Sequence, residues 1–204
     1  CDSRHLSEVL RLFTVTALEI GEGQQYDMEF ENRNDVKEEE YIEMIRLKTS
    51  VLLACAMKIG AILAGAPAED VENLYKFGEQ IGLAFQLQDD YLDVYGDPKV
   101  FGKKIGGDII CNKKTYMLIN AFNKANARQR KELEKWIGCE NFNHEEKVAA
   151  VTELYNSIGV DKLAIERINY YFDEANKYIA AVNLPDERKA ELLAYAQKML
   201  HRKW

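Results

Sequence analysis

The run Gly82-Leu-Ala-Phe-Gln-Leu-Gln-Asp-Asp-Tyr-Leu-Asp93 holds the carboxylates of Asp89, Asp90 and Asp93 close together. On a helix each residue advances about 100°, so with Asp89 at zero Asp93 falls near ~40°, Gln86 near ~60° and Asp90 near ~100°. The polar groups therefore share one arc. Like charges spaced four apart repel and weaken a helix, so something must offset them. A hard divalent cation does so, and Mg²⁺ prefers a carboxylate or two together with phosphate oxygens and water. The chemistry implied is metal-bridged binding of a diphosphate. The competing reading is a solvated acidic patch. Against it, Leu83, Phe85, Leu87, Tyr91, Leu92 and Val94 make the rest of this helix apolar, and buried acids without partners are costly. Gly78 and Gly82 fall near ~-20° and ~20° on the same wheel, and small residues there would leave room for a ligand.

The complementary charges come next in the chain. Gly102-Lys-Lys-Ile-Gly-Gly-Asp108 is glycine-rich and basic, and Lys113-Lys-Thr115 follows it. Alone these lysines are ordinary solvated surface; after an acidic helix they read as phosphate ligands. Lys48-Thr49 lies in an apolar helical segment, where a lysine can simply snorkel to water.

The elements that must position these groups read as helices throughout. With only three prolines, at 67, 98 and 185, long helices are permitted. The first runs from His5 to about Phe30, with Leu6, Val9, Leu10, Phe13, Ala17 and Ile20 at helical spacing. A loop at Glu31 to Lys37 leads to a helix over Glu38 to Ala64, closed by Gly65-Ala66-Pro67. The aspartate helix spans Ala68 to Tyr95 and stops at Gly96-Asp97-Pro98; Gly102 to Asp108 is irregular. Helices then follow over Lys113 to Asn126, Arg128 to Ile137, His144 to Ser157, Lys162 to Val182 and Asp186 to Arg202. Asp161 is the expected N-cap of the penultimate one. No strand alternation is visible, so the fold class is all-α, a helical bundle with one core over residues 1–204.

Composition narrows the partners. Net charge is -7 over 204 residues, which disfavours nucleic acid. The longest apolar stretch, Val51 to Met57, is too short to span a bilayer, so no stable membrane insertion is expected. Cys1, Cys55, Cys111 and Cys139 lack zinc spacing and read as reduced cytoplasmic thiols; the three histidines are isolated.

Phe85-Gln86-x-x-Asp89-Asp90-x-x-Asp93, Gly96-Asp97, Gly102-Lys103, Gly106-x-Asp108 and Lys113-Lys114-Thr115 together resemble the second aspartate-rich region of the trans-isoprenyl diphosphate synthases. Farnesyl and geranylgeranyl diphosphate synthases are members of that family. Gly23-Gln24-Gln25-x-Asp27 and Lys48-Thr49 resemble two further motifs, in the family's order. The resemblance implies an isoprenoid synthase-type bundle around a central cavity. It implies a Mg²⁺-dependent prenyltransferase joining isopentenyl diphosphate to an allylic diphosphate, and a homodimer. Asp89 would be the main direct metal ligand, while Asp90 and Asp93 hold that metal's waters. Lys48 and Lys103 would contact the allylic diphosphate. The Lys48 carbonyl, the Thr49 hydroxyl and Gln86 would face the allylic carbon. Gln24 and Asp27 would line the cavity, Lys113 would be a more peripheral phosphate contact, and Arg202 with Lys203 resembles a basic tail.

The first aspartate-rich motif of that family and the Arg-Arg pair after it are not found, and the chain begins at Cys1. The expectation is the C-terminal portion of such an enzyme, truncated or proteolysed. Three rivals stand beside it: a non-catalytic partner subunit, a terpene cyclase-like ionising enzyme, and a helical bundle that binds a protein through its acidic face.

Overall fold

Glycine and proline set where the helices stop. Helix α1 (Ser3–Glu31) runs into a polar turn, and α2 (Glu38–Ile45) follows. A π-helical turn (Arg46–Ser50) joins α2 to α3 (Val51–Leu63), which ends at Gly65, a left-handed residue at φ 71°. The aspartate helix, α4, is Ala68–Tyr95. A short α5 (Gly107–Ile110) precedes α6 (Tyr116–Lys124), α7 (Ala127–Ile137), α8 (His144–Ile158), α9 (Val160–Ala181) and α10 (Asp186–Leu200). This computed structural model describes residues 3–97 and 105–200, and among them there is no strand. No described helix is long and apolar enough to cross a membrane.

Side-chain caps fix several starts. The Thr115 hydroxyl accepts from the Leu118 N–H, the Asn126 amide oxygen from Arg128 and Gln129, and that of Asn143 from Glu145 and Glu146. Each such cap is worth about 1 kcal/mol. Two expected features are corrected here. Gly159, at φ 84°, is the N-cap of α9, and Asp161 lies one residue inside the helix with Oδ1 buried and lacking a hydrogen-bond partner. Only a glycine readily takes the left-handed turn that ends α8 and starts α9 at one residue. The helix expected from Lys113 begins at Tyr116, because Thr115 caps it; Lys113 and Lys114 sit in the preceding turn.

α4 is the centre of the bundle, lying along α3 on one side and α9 on the other. The main core gathers Phe30, Tyr41, Met44, Ile45, Leu83, Leu87, Val94, Met117, Leu133, Val151 and Tyr155. Burying such side chains contributes roughly 1.5–3 kcal/mol apiece, which holds α4 rigid where its polar face begins. A second cluster, Phe77, Ile81, Ala175, Ile179 and Ala196, joins α4 to α9 and α10. By contrast Leu6, Leu10, Phe13 and Leu18 of α1 are exposed.

The segment expected as one helix over Glu38 to Ala64 is interrupted. In the π turn the Val51 N–H reaches back to the Arg46 carbonyl, and the Ser50 hydroxyl to that of Ile45 at 3.5 Å. Neighbouring backbones press on this turn. A Cβ at Gly23 would lie 2.4 Å from the Lys48 nitrogen, and one at Gly82 2.5 Å from the Ser50 Cα. Gly78 meets Ala54 Cα at 2.9 Å in the same way. The small face of α4 is therefore spent on helix contact with the π turn and α3; the expected ligand space at Gly78 and Gly82 is not there.

Candidate active site

Three elements converge where α4 turns polar. The π turn supplies Lys48 and Thr49, α1 supplies Asp27, and the segment around α5 supplies Asp108 and Lys113. π turns insert one residue into a helix and recur at functional sites; here the insertion falls on the Lys48-Thr49 pair.

Asp90 is the buried member of the run, 3% exposed. Its Oδ2 accepts a short hydrogen bond from the hydroxyl of Tyr41, itself 1% exposed. Its Oδ1 accepts from Gln86 Nε2 at 3.2 Å, and the Lys113 ammonium stands 3.9 Å away. The other end of the Gln86 amide, Oε1, accepts from the Thr49 hydroxyl at 3.1 Å. Burial pushes the Asp90 carboxyl up to about 7, with Lys113 pulling it down and Asp108 raising it further. Burial also drives the Tyr41 phenol well above its ordinary range, as does the Asp90 charge.

Asp93 anchors the segment that follows α4. Its Oδ2 accepts from the Asp108 N–H at 2.9 Å, and its backbone carbonyl from the Gly106 N–H at 2.6 Å. Asp108 is raised by burial and by Asp93 and Asp89, against the pull of Lys113, 3.6 Å from its Oδ1. Burial pulls the Lys113 ammonium down, but Asp90, Asp108 and Asp27 outweigh it and leave it raised. Asp89 is half-buried, and no described side chain pairs with it. Lys48 Nζ bonds Asp27 Oδ2 at 2.6 Å.

Lys147, on α8, was not signalled by any motif. It is fully buried, and its Nζ donates to the Ile110 carbonyl at 3.3 Å and Asn112 Oδ1 at 2.7 Å, above the Phe142 ring. It thereby caps α5 and fixes the left-handed Asn112 beside Lys113.

The expected site residues thus divide. Asp27, Lys48, Thr49, Gln86, Asp89, Asp90, Asp93 and Lys113 are brought together; Gln24 is exposed on α1 without a described bond to the others. Lys113, expected at the periphery, lies against Asp90 and Asp108. Lys103 and Arg202 lie outside the described residues. Tyr41 was missed, because no motif marks it and only the packing of α2 on α4 brings its hydroxyl to Asp90. Among the described residues no three acids, histidines or cysteines form a ready cage for a metal ion. That donor set still fits Mg²⁺, which is held by one or two carboxylates plus substrate phosphate and water. Asp89, with no described side-chain partner, is the free oxygen donor.

The polyprenyl synthetase family pattern matches residues 2–155. The chain is 40% identical over 163 residues to a short chain isoprenyl diphosphate synthase of Methanothermobacter thermautotrophicus, covering 80% of this chain and 49% of that protein. It is 39% identical over 198 residues to a geranylgeranyl diphosphate synthase of Methanosarcina mazei, covering 95% and 57%. A crystal structure of a geranylgeranyl pyrophosphate synthase superimposes with a TM-score of 0.93 at 39% identity, over 100% of this chain and 63% of that one. A polyprenyl synthase from Caulobacter crescentus, solved with calcium and isoprenyl diphosphate, gives 0.86 at 28% identity, over 97% and 60%. The chain spans about half the length of the curated relatives it matches. The helical architecture is that of the isoprenoid synthases, and the chain belongs to the polyprenyl synthetase family.

Proposed function

We propose that this chain forms one helical domain carrying half of the active site of a prenyltransferase. The reaction condenses isopentenyl diphosphate with an allylic diphosphate (dimethylallyl, geranyl or farnesyl) to a short-chain trans-polyprenyl diphosphate, releasing diphosphate. The observation that carries the reading is Asp89, with no described side-chain partner, on the same arc of α4 as Asp90, which Lys113 approaches, and Gln86, which accepts from Thr49. The carboxylates of Asp89, Asp90, Asp93 and Asp108 would repel a bare diphosphate, so a cation is needed between them. When bound, Mg²⁺ would neutralise that charge and favour departure of the leaving group. Asp89 would hold the ion directly, with Asp90 and Asp93 acting through neighbouring groups. The calcium and isoprenyl diphosphate in the Caulobacter relative support this chemistry.

The residues of the chain have separable tasks. Lys48 and Lys103 bind the allylic diphosphate; Lys113 holds the carboxylates together and adds positive charge. The Lys48 carbonyl, the Thr49 hydroxyl and the Gln86 amide carbonyl offer lone pairs to the carbon that becomes cationic. Gln24 and Asp27 border the cavity, and Arg202 closes over isopentenyl diphosphate. The buried apolar flank of α4 excludes water, which would otherwise quench the cation. The exposed row Leu6, Leu10 and Phe13 on one face of α1 supports a homodimer, and we place the enzyme in the cytoplasm.

The test is incorporation of labelled isopentenyl diphosphate by the complete protein with geranyl diphosphate as primer, with and without Mg²⁺, followed by product sizing. Metal-dependent chain extension is expected. Its absence, with folding verified, would refute the reading.

A further inference from the structure

Asp90 presents a puzzle for any direct role at the metal. It is 3% exposed, and both of its oxygens are already engaged by the protein, Oδ2 by Tyr41 and Oδ1 by Gln86. Such a carboxylate is better placed to orient a neighbour than to ligate an ion.

The neighbour it orients is Gln86. An amide has one donor end and one acceptor end, and its partners decide which way round it sits. Here the donor end is taken by Asp90, whose Oδ1 accepts from the Gln86 NH₂ at 3.2 Å. The Gln86 carbonyl must then point the other way, where the Thr49 hydroxyl donates to it at 3.1 Å. The chain Tyr41–Asp90–Gln86–Thr49 therefore crosses from α2 through α4 to the π turn, with its first members sealed in the core and its last at the reacting face. If the Asp90 carboxylate turned about its own bond, Gln86 would lose the template for its orientation.

Tyr41 prevents that turn. Its hydroxyl is the one donor from outside α4 that bonds Asp90 Oδ2 among the described residues, and its ring is packed in the main core with Met44, Leu83 and Leu87. A tyrosine used only as core filling would be served as well by phenylalanine, which needs no partner for a buried hydroxyl.

Resting on the function proposed above, we propose that Tyr41 is a positioning residue for prenyl transfer. Its buried hydroxyl holds the Asp90 carboxylate in the orientation that aims the Gln86 carbonyl, and with it the Thr49 hydroxyl, at the carbon losing diphosphate. Tyr41 touches no substrate itself.

Tyr41→Phe keeps the ring and deletes the hydroxyl. In the complete protein, the kcat for chain extension falls about 10- to 100-fold, the range that a small misplacement of reacting groups produces. KM for isopentenyl diphosphate and the calorimetric affinity for inorganic diphosphate with Mg²⁺ stay within about twofold, because Asp89 and the lysines are untouched. A second comparison separates positioning from plain stability. In a Gln86→Ala background, Tyr41→Phe leaves kcat unchanged, since its effect passes through Gln86, yet lowers the melting temperature as much as in the parent. Full additivity of the two substitutions in kcat, or a Tyr41→Phe enzyme turning over within about twofold of the parent, overturns the assignment and leaves the function intact. If the unsubstituted protein neither binds diphosphate with Mg²⁺ nor extends a primer, the function falls and this assignment with it.

Discussion

The Lys48 ammonium stands 2.6 Å from the Asp27 carboxylate, tying the π turn to α1. The pair is partly exposed, so by itself it contributes little, about 1 kcal/mol or less. Its consequence is for binding: the lysine that would meet a diphosphate is already neutralised. Asp27→Asn should tighten binding of inorganic diphosphate with Mg²⁺, by about fivefold for each kcal/mol of relieved competition. Titration calorimetry reads this directly. Weaker binding would mean that Asp27 presents Lys48 to the anion instead of competing for it.

Asp89→Asn should separate catalysis from folding. No described side chain leans on Asp89, and its removal relieves repulsion from Asp93 one turn on. In chelator the melting temperature should hold or rise slightly, while turnover with Mg²⁺ drops by about 10²-fold or more. A variant that melts earlier in chelator would show that Asp89 is structural.

The packing around the π turn can be probed at a single atom. Gly23→Ala pushes a methyl to within 2.4 Å of the Lys48 nitrogen and should cost roughly 1–3 kcal/mol in denaturant unfolding, with turnover falling as Lys48 shifts. Gly21→Ala, two residues earlier on α1 with no atom within 4 Å, should stabilise by about 0.5–1 kcal/mol. Equal effects at the two positions would contradict the close approach.

Lys147 gives a pH signature. Burial lowers its pKa below 10.5, so the folded protein sheds this proton before the unfolded chain does. The cost of the buried charge is therefore complete at low pH and is relieved as pH climbs through the window between the lowered value and 10.5. Relative to Lys147→Met, the parent should gain stability over that window, measured by urea unfolding at stepped pH. Parallel pH profiles for the two proteins would show that the ammonium is not strained in the fold.

Much of this architecture could be read from the residue pattern, because helix stops announce themselves chemically. Pro67, Gly96 and Asn143 lie where the chain's chemistry changes, and α4 runs from Ala68 to Tyr95 as its periodicity requires. The gathering of Asp89, Asp90, Asp93 and Gln86 on one arc followed from helix geometry alone. The rest depended on neighbours distant in sequence. Whether Gly82 faces a ligand or the Ser50 backbone is decided by how two helices cross, which no local pattern records. The π turn is invisible for a related reason: one extra residue in an apolar stretch barely disturbs the hydrophobic spacing. Tyr41 is part of the core, and only its hydroxyl belongs to the site, which no local pattern marks.

The π turn also sets the angular phase of what precedes it. In an uninterrupted α-helix residues seven apart lie within about 20° of the same direction, so Tyr41 and Lys48 would point the same way. Bonds spanning five residues wind more slowly, and the two side chains part company, one to Asp90 on α4 and the other to Asp27 on α1. Loss of a single residue between 46 and 50 would restore the regular helix with α2 and α3 keeping nearly their present relative phase, because the slower winding of the π turn already absorbs the extra residue. Every aspartate would remain in the sequence and Tyr41 would still face Asp90, yet the Lys48-Thr49 pair would lose the turn that presents it.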